Sequence, residues 1–225
     1  QTFRMAIAEG RAQRDPSRDI LSALRPIPRA KHRNRVAIRD VPKLVADIYR
    51  YDGDPFTAAA LKFTLHTMTR SSEVRFAERA EFSLGAEPLW RIPDTRMKMS
   101  RPHLIPLSRQ ALRIIKSVAS TRTDDRWVFA APTVSGVISE NTMLYALYRM
   151  GYHSRQTVHG FRGLASTILN ENGFDSDWIE AQLAHDEDDK VRAAYNSAQY
   201  LSQRRTMLQW WSDHIEQQAR IGGLL

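Results

Sequence analysis

The spacing of apolar residues along this chain switches between a helical and a strand-like period, and the switch outlines its architecture. Between residues 40 and 65, Leu44, Val45, Ile48 and Tyr49, then Leu61 and Leu65, recur at three- and four-residue intervals and predict two helices. Asp40 is placed to cap the first. Asp54-Pro55 opens the second with a capping acid followed by the residue best suited to a first helical turn. Ser71 or Ser72 is placed to cap a further short helix, which leaves Arg70 at a helix junction. Strand-like pieces then follow at residues 82–84, 89–92 and 103–107, with turn residues between them, and predict a small antiparallel sheet. Between the last two, residues 94–101 can present Lys98 at a hairpin tip.

Helical spacing then returns. Ser108 is placed to cap a helix with Ala111, Leu112, Ile115 and Val118 on its apolar side, Trp127-Val128-Phe129 reads as a short buried run, and Ser139 is placed to cap a helix ending at Gly151. Thr157 is placed to cap the next, whose apolar stripe is Phe161, Leu164, Ala165, Ile168 and Leu169 and which stops at Asn172-Gly173. On it His159 and Arg162 are i,i+3 neighbours off the centre of the stripe, able to face a cleft. A helix from about Ser176 to His185, an acidic turn, a helix carrying Tyr195 and an amphipathic tail over residues 199–220 with Leu201, Leu208, Trp211 and Ile215 complete the chain. At the other end, residues 1–14 read as a short helix with Phe3, Ala6 and Ile7 on one side, too short to be stable alone. Pro16, Pro26 and Pro28, set among many charges, mark residues 15–39 as extended linker, so the compact domain is expected from near Asp40. The fold class predicted is α+β, mainly helical, with a small three-stranded antiparallel sheet.

Composition narrows the possible roles. With 225 residues the chain can form one well-buried domain with an appended segment, or two small ones. It has no cysteine, which removes disulfides, thiol catalysis and Cys-ligated zinc and fits a reducing compartment. No run of 18 apolar residues exists and the N-terminus lacks the apolar core of a signal peptide, so neither a membrane span nor secretion is supported. The net charge is +8, and residues 1–39 carry most of it, with ten Lys/Arg against three Asp/Glu. A basic arm of this kind can track a phosphate backbone or serve as a solvated lead segment.

The residues that carry chemistry gather in residues 157–195. Metal-free cleavage of a phosphodiester needs a nucleophile, charge on the nonbridging oxygens and an acid for the leaving alkoxide. Arginine suits the oxygens because its planar fork stays charged and donates two parallel hydrogen bonds, and the same persistent charge makes it a poor acid. Lysine or histidine must therefore supply the proton. Tyrosine, with a pKa of about 10, is only ~0.1% ionised at neutral pH and needs activation in place. His159 and His185 are raw material for a metal site, yet the chain has no H-E-x-x-H and no His cluster at ligand spacing, so no metal or other cofactor is expected.

In order along the chain these groups resemble those of the tyrosine recombinases, specifically phage-type integrases of prophages and genomic islands. The family's first box, T-x-x-R-x-x-E-hydrophobic, is matched by Thr67, Arg70, Glu73 and Val74. Its hairpin lysine is matched by Lys98, and its H-x-x-R box by His159 and Arg162. The second histidine is His185 in Leu-Ala-His, with Tyr195 ten residues later. The second residue of the first box, often Gly in the wider family, is Met68 here, which implies a local backbone difference.

The resemblance implies site-specific recombination of double-stranded DNA at attachment sites through a 3′-phosphotyrosine. Tyr195 would be the nucleophile and Arg70 and Arg162 would hold the phosphate. Lys98 would be the acid, His159 would handle the proton of the tyrosine, His185 would bond the phosphate and Glu73 would support the site. It further implies that residues 1–14 end a core-binding domain, that residues 15–39 are a basic linker and that residues 40–225 are the catalytic domain with a tail helix. On DNA the protein would be a homotetramer, acting in the bacterial cytoplasm with accessory proteins, with residues 221–225 passed to a neighbour; this piece alone can be monomeric. A type IB topoisomerase would use nearly the same residues, and a noncatalytic DNA-binding module is the third reading. Tyr200 is the rival to Tyr195, but its spacing from His185 fits the family less well, while His103, Trp127, Trp210 and Trp211 read as structural.

Overall fold

The computed structural model describes residues 2–16, 34–97, 101–121, 126–184 and 199–224. The chain divides into two compact units, Gln1–His32 and Arg33–Leu225. Helix α1 of the first spans Thr2–Ala8, shorter than the sequence suggests, and leaves Phe3, Met5 and Ile7 exposed. The second begins at Arg33, seven residues before Asp40, because residues 34–36 are held by hydrogen bonds to residues 154–167.

Helix α2, Val41–Arg50, follows a single 3-10 turn, and Asp40 precedes it without a side-chain capping bond. Of its five buried residues, Val41, Leu44, Val45 and Ile48 recur at helical spacing on one face, and Ala46 lies beside them. Helix α3, Pro55–Thr67, is capped as expected, the Asp54 carboxylate accepting from Thr57 N–H at 2.7 Å. It is buried on nearly every side from Thr57 to Thr67, the pattern of a central helix rather than a surface one. Its buried hydroxyls are satisfied within the helix, Thr64 donating to the Ala60 carbonyl and Thr67 to that of Phe63, each at 2.7 Å.

Short helix α4, Ser71–Arg75, leads into strands β1 (Phe82–Ser83), β2 (Leu89–Ile92) and β3 (His103–Pro106), an antiparallel sheet in the order β1-β2-β3. Trp90 pairs with Phe82 on one side and Ile105 on the other. Alternation puts Trp90 and Ile92 into the core and leaves Arg91 outside. Trp90 stacks on Phe82 at 5.3 Å between ring centroids, and both meet Phe63 of α3. The remaining helices are α5 (Arg109–Ser120), α6 (Thr142–Arg149), α7 (Gly160–Glu171), α8 (Ser176–Leu183) and α9 (Leu201–Ile221). Ser108 caps α5, accepting from Ala111 N–H at 3.2 Å. Ser139 does not cap α6. That helix starts after Asn141, and Ser139 instead shares a hydrogen bond with Thr142 in the turn before it. Helix α8 is capped by Asp175 and stops at Leu183, two residues short of His185, because Ala184 turns left-handed at φ +45°. Among the described residues no helix is long and apolar enough to cross a membrane.

Helix α9 packs along α2 and returns the C-terminus to it. Gly222 sits where an added Cβ would meet the Pro42 carbonyl oxygen at 2.1 Å, the Gly223 carbonyl accepts from Arg50, and Leu224 packs on the core. Of the segment expected to reach a neighbour, residues 222–224 therefore lie on their own chain. Beneath α9, Tyr49, His66, Ser212 and Ser108 form a buried hydrogen-bonded chain. Ser212 gives its proton to Ser108, so it accepts from Nδ1–H of His66, and Nε2 of His66 accepts from the Tyr49 hydroxyl. Burial pushes the His66 pKa down to about 3, so the imidazole is neutral at pH 7 and, with its proton on Nδ1, leaves Nε2 to accept.

His103 is likewise driven to about 3, by burial first and then by the Arg204 charge. Both folded-state values lie below that of the unfolded chain, so their contribution to stability is complete above about pH 6.5 and is lost as pH falls toward 3. Urea unfolding between pH 7 and pH 5 should show stability falling by roughly 1.4 kcal/mol per pH unit for each histidine below pH 6. A flat profile over that interval would refute the neutral assignment of both.

Candidate active site

The first cluster of predicted site residues sits where α3 gives way to α4. Met68 ends α3 at φ +57°, in the left-handed region that glycine enters freely, and turns the chain so that Thr69 and Arg70 run on into the next helix. Methionine holds this conformation because its side chain is fully buried. Burial contributes about 1.5–3 kcal/mol, against a left-handed cost of about 1–2 kcal/mol. The residue that departs from the box thus occupies the conformation glycine would favour.

Arg70 itself is the N-cap residue of α4, and neither Ser71 nor Ser72 caps it. Glu73 reaches back instead. One carboxylate oxygen accepts from Arg70 N–H at 2.7 Å and the other from Arg70 Nη1 at 2.8 Å, so one buried side chain fixes both the backbone and the guanidinium of Arg70. Arg96 secures the same turn by donating to the Glu73 carbonyl at 2.6 Å.

The second cluster is on α7. The helix starts at Gly160, three residues after Thr157, whose hydroxyl still accepts from Gly160 N–H at 3.0 Å. His159 is exposed at the helix entrance and Arg162 lies one turn on. The two differ sharply in environment, since Arg162 is 3% exposed. Its Nη1 donates to the Met68 carbonyl at 2.7 Å and its Nη2 to the Leu183 carbonyl, while its buried Nε has no partner among the described residues.

Both arginines meet at the end of α8. The last carbonyls of a helix have no partner within it and lie at the negative end of its dipole. Here the Gln182 carbonyl accepts from His103 Nε2 at 3.1 Å, that of Leu183 from Arg162, and that of Ala184 from Arg70 at 2.9 Å. Three consecutive carbonyls are thus covered from β3, α7 and the α3–α4 turn. Burial and then the nearby Arg70 charge lower the Arg162 pKa to about 10, which still leaves it protonated at neutral pH. Glu73 pairs with Arg70, Glu73 and Glu180 both act on Arg162, and the two guanidiniums together concentrate at one place the planar donors suited to an oxyanion.

The structure therefore brings Arg70, Glu73 and Arg162 together, with His159 at the outer end of the Arg162 helix. Lys98, in the connection between β2 and β3, and His185 and Tyr195, after α8, lie outside the described residues.

Sequence reasoning missed two residues that hold this arrangement. Gln182 is fully buried, donates to the Thr67 carbonyl at 2.7 Å and accepts from Nη2 and Nε of Arg204 at 2.7 and 3.1 Å. Arg204 also donates to the carbonyls of Leu104 at 2.7 Å and Gln199 at 3.1 Å. A signal existed: Arg204 lies three residues after Leu201 and four before Leu208, on the apolar stripe, where a charge must find buried partners.

Comparison with known proteins bears on the whole of this region. The sequence profile of the phage integrase family matches residues 36–201. The chain is 36% identical over 231 aligned positions to the integrase of Enterobacteria phage P4, covering 95% of this chain and 52% of that protein. It is 32% identical to the integrase of Shigella phage Sf6, covering 98% of this chain and 57% of that one. Against the prophage integrase IntA of Escherichia coli K12 it is 35% identical, covering 84% and 46%. The chain thus spans about half the length of these relatives.

Among solved structures the fold resembles the integrase from mycobacterium phage Brujita, with a TM-score of 0.61 and 16% identity over 92% of this chain and 67% of that one. It also resembles a lambda integrase tetramer bound to a Holliday junction, with a TM-score of 0.60 and 17% identity over 86% and 56%.

Arg204→Met, which keeps most of the side-chain volume, should lower stability by about 2–4 kcal/mol in urea unfolding, because it strips donors from buried acceptors of Gln182 and Leu104. A loss below about 1 kcal/mol would mean that the network does not hold the site's elements together.

Proposed function

The chain belongs to the phage integrase family, and from that premise we propose that it is the catalytic part of a site-specific recombinase that cuts and rejoins double-stranded DNA through a 3′-phosphotyrosine. The observation that carries this reading is the meeting of Arg70 and Arg162 on consecutive carbonyls, Ala184 and Leu183, directly before His185 in the chain. Two elements far apart in sequence deliver cations to one place, and the chain that leaves this place carries the candidate nucleophile.

In the proposed reaction the Tyr195 oxygen attacks the scissile phosphorus and its proton passes to His159. The P–O bond to the 5′ oxygen breaks and Lys98 protonates that oxygen, leaving a 5′-hydroxyl and a phosphotyrosine ester. Arg70 and Arg162 hold the nonbridging oxygens. A guanidinium carries more donors than the two that each of these spends on protein, so both can keep their carbonyls while gripping phosphate. Each well-aimed donor of this kind is worth about 3 kcal/mol at the transition state. His185 adds a further bond to the phosphate, and Glu73 keeps Arg70 aimed. The reverse attack by a 5′-hydroxyl of a partner duplex rejoins the strand, and the ester conserves the bond energy without ATP or metal.

Residues 1–14 are then the end of a core-binding domain, residues 15–39 a basic linker, and residues 40–225 the catalytic domain with its tail helix. Double-stranded attachment-site DNA, a homotetramer on that DNA and accessory proteins belong to the same proposal. So does action in the bacterial cytoplasm.

A nicked suicide duplex spanning the junction between the encoding element and its chromosome tests the chemistry. Wild type should become covalently linked to the DNA and Tyr195→Phe should not; linkage that persists in Tyr195→Phe sinks the assignment. Arg70→Ala and Arg162→Ala should each slow linkage by roughly 100-fold or more while duplex binding survives. Lys98→Ala should be slow on ordinary DNA and recover on DNA with a bridging 5′ sulfur, because a thiolate leaves without a proton. If the sulfur substrate brings no recovery, Lys98 is not the acid.

A further inference from the structure

The helix that carries His159 and Arg162 is held from inside by its apolar stripe and from outside by residues that the sequence assigns to the linker. Asn34 donates through Nδ2 to the Ser154 carbonyl at 2.7 Å, and its own carbonyl accepts from Thr157 N–H at 3.0 Å. Ser154 is one of the few residues besides glycine with a left-handed backbone, at φ +58°, so Asn34 fastens the carbonyl of a strained turn. Val36 N–H donates to Oε1 of Gln156 at 2.9 Å, and the same amide donates through Nε2 to the Thr157 carbonyl at 2.8 Å. Gln156 is fully buried, so these bonds have no competition from water. Arg35 bonds the Gly163 carbonyl and, at 2.8 Å, the Thr167 hydroxyl through one nitrogen, Nη1. Grips on Ser154, Thr157, Gly163 and Thr167 bracket His159 and Arg162 on both sides.

The glycine between the two candidate catalytic residues fits the same arrangement. A Cβ at Gly160 would meet the Asn34 carbonyl oxygen at 2.6 Å and Nε2 of Gln156 at 2.7 Å. The linker backbone thus passes directly over the turn that leads into α7, and no larger residue fits beneath it. Arg35 also changes how the basic arm is read, since this cation is engaged with protein acceptors on α7.

We propose that residues 34–36 form a clasp that sets the position of the His159–Arg162 turn, with Arg35 and Gln156 as positioning residues for DNA cleavage. The proposal rests on the recombinase reading above for its catalytic consequence, and on the hydrogen bonds alone for its structural one. Arg35 acts through Gly163 and Thr167, without touching the phosphate.

Two measurements on the whole chain test it. In amide hydrogen exchange, Arg35→Ala and Gln156→Ala should speed exchange in peptides covering residues 158–163 by roughly fivefold or more and leave α5 unchanged. On the nicked suicide duplex the same variants should lower the linkage rate at saturating DNA by roughly tenfold or more, with less than a twofold change in the half-saturating DNA concentration. Arg35→Lys, which keeps a donor, should recover most of that rate.

Unchanged exchange at residues 158–163 would overturn the clasp. So would a maximal rate that stays intact while half-saturation rises and the salt dependence of binding drops by about one ion, the signature of a direct phosphate contact. If Tyr195→Phe still links to DNA, the recombinase reading falls while the exchange result continues to judge the clasp.

Discussion

The carbonyls at the end of α8 that have no partner within the helix are the constraint around which the catalytic unit is arranged. A helix that ends in the interior must find donors for its last carbonyls, and here they come from cations and a histidine on other elements. Arg162 is 3% exposed and remains charged because it bonds two carbonyls, of Met68 and Leu183, while Glu73 and Glu180 oppose the effects of burial and of the Arg70 charge. The same contacts that satisfy α8 therefore set where the two arginines point. A group that caps a helix and a group that can bind an oxyanion are one and the same here, which links stability and proposed chemistry in single side chains.

The rest of the fold serves this junction. Helix α3 is buried nearly all round and delivers its C-terminus to the centre of the unit, where Met68 makes the turn that releases Arg70. The sheet stacks on α3 through Phe63, Phe82 and Trp90 and brings His103 to the Gln182 carbonyl. Helix α9 adds Arg204, which binds Gln182 and Leu104 and so ties α8 to β3. Gln182 closes the circuit by bonding the Thr67 carbonyl. His103, Arg204 and Gln182 are polar and buried, and each is bonded to a partner from a different element, so none can be aimed correctly until the others are in place.

Much of the fold was legible in the sequence because it depends on local rules. The apolar stripes of α2, α5 and α7, the Asp54 and Ser108 caps and the register-defining turns of the sheet are set within a few residues of each position. Where several polar residues competed for one helix start, the outcome depended on packing. Glu73 displaced Ser71 and Ser72 because its carboxylate also pairs with the Arg70 side chain, and Ser139 lost its helix to Asn141. Packing likewise decides residues 34–36, which look like charged linker until Gln156 and Gly163 are beside them.

By itself the sequence determined the helical and strand periods, the three-stranded antiparallel sheet, and the identity and order of the residues that resemble the integrase boxes. These follow from side-chain spacing and chemistry along the chain. Only the tertiary structure decided that Arg70 and Arg162 share the end of one helix, that Met68 takes a glycine-like backbone and that Gln182, Arg204 and Asn34 hold the surrounding turns. Those outcomes depend on donors and acceptors up to 123 residues apart, such as Asn34 and Thr157. A buried carbonyl is satisfied by whichever donor the completed fold brings to it, and nothing in the local sequence names that donor in advance.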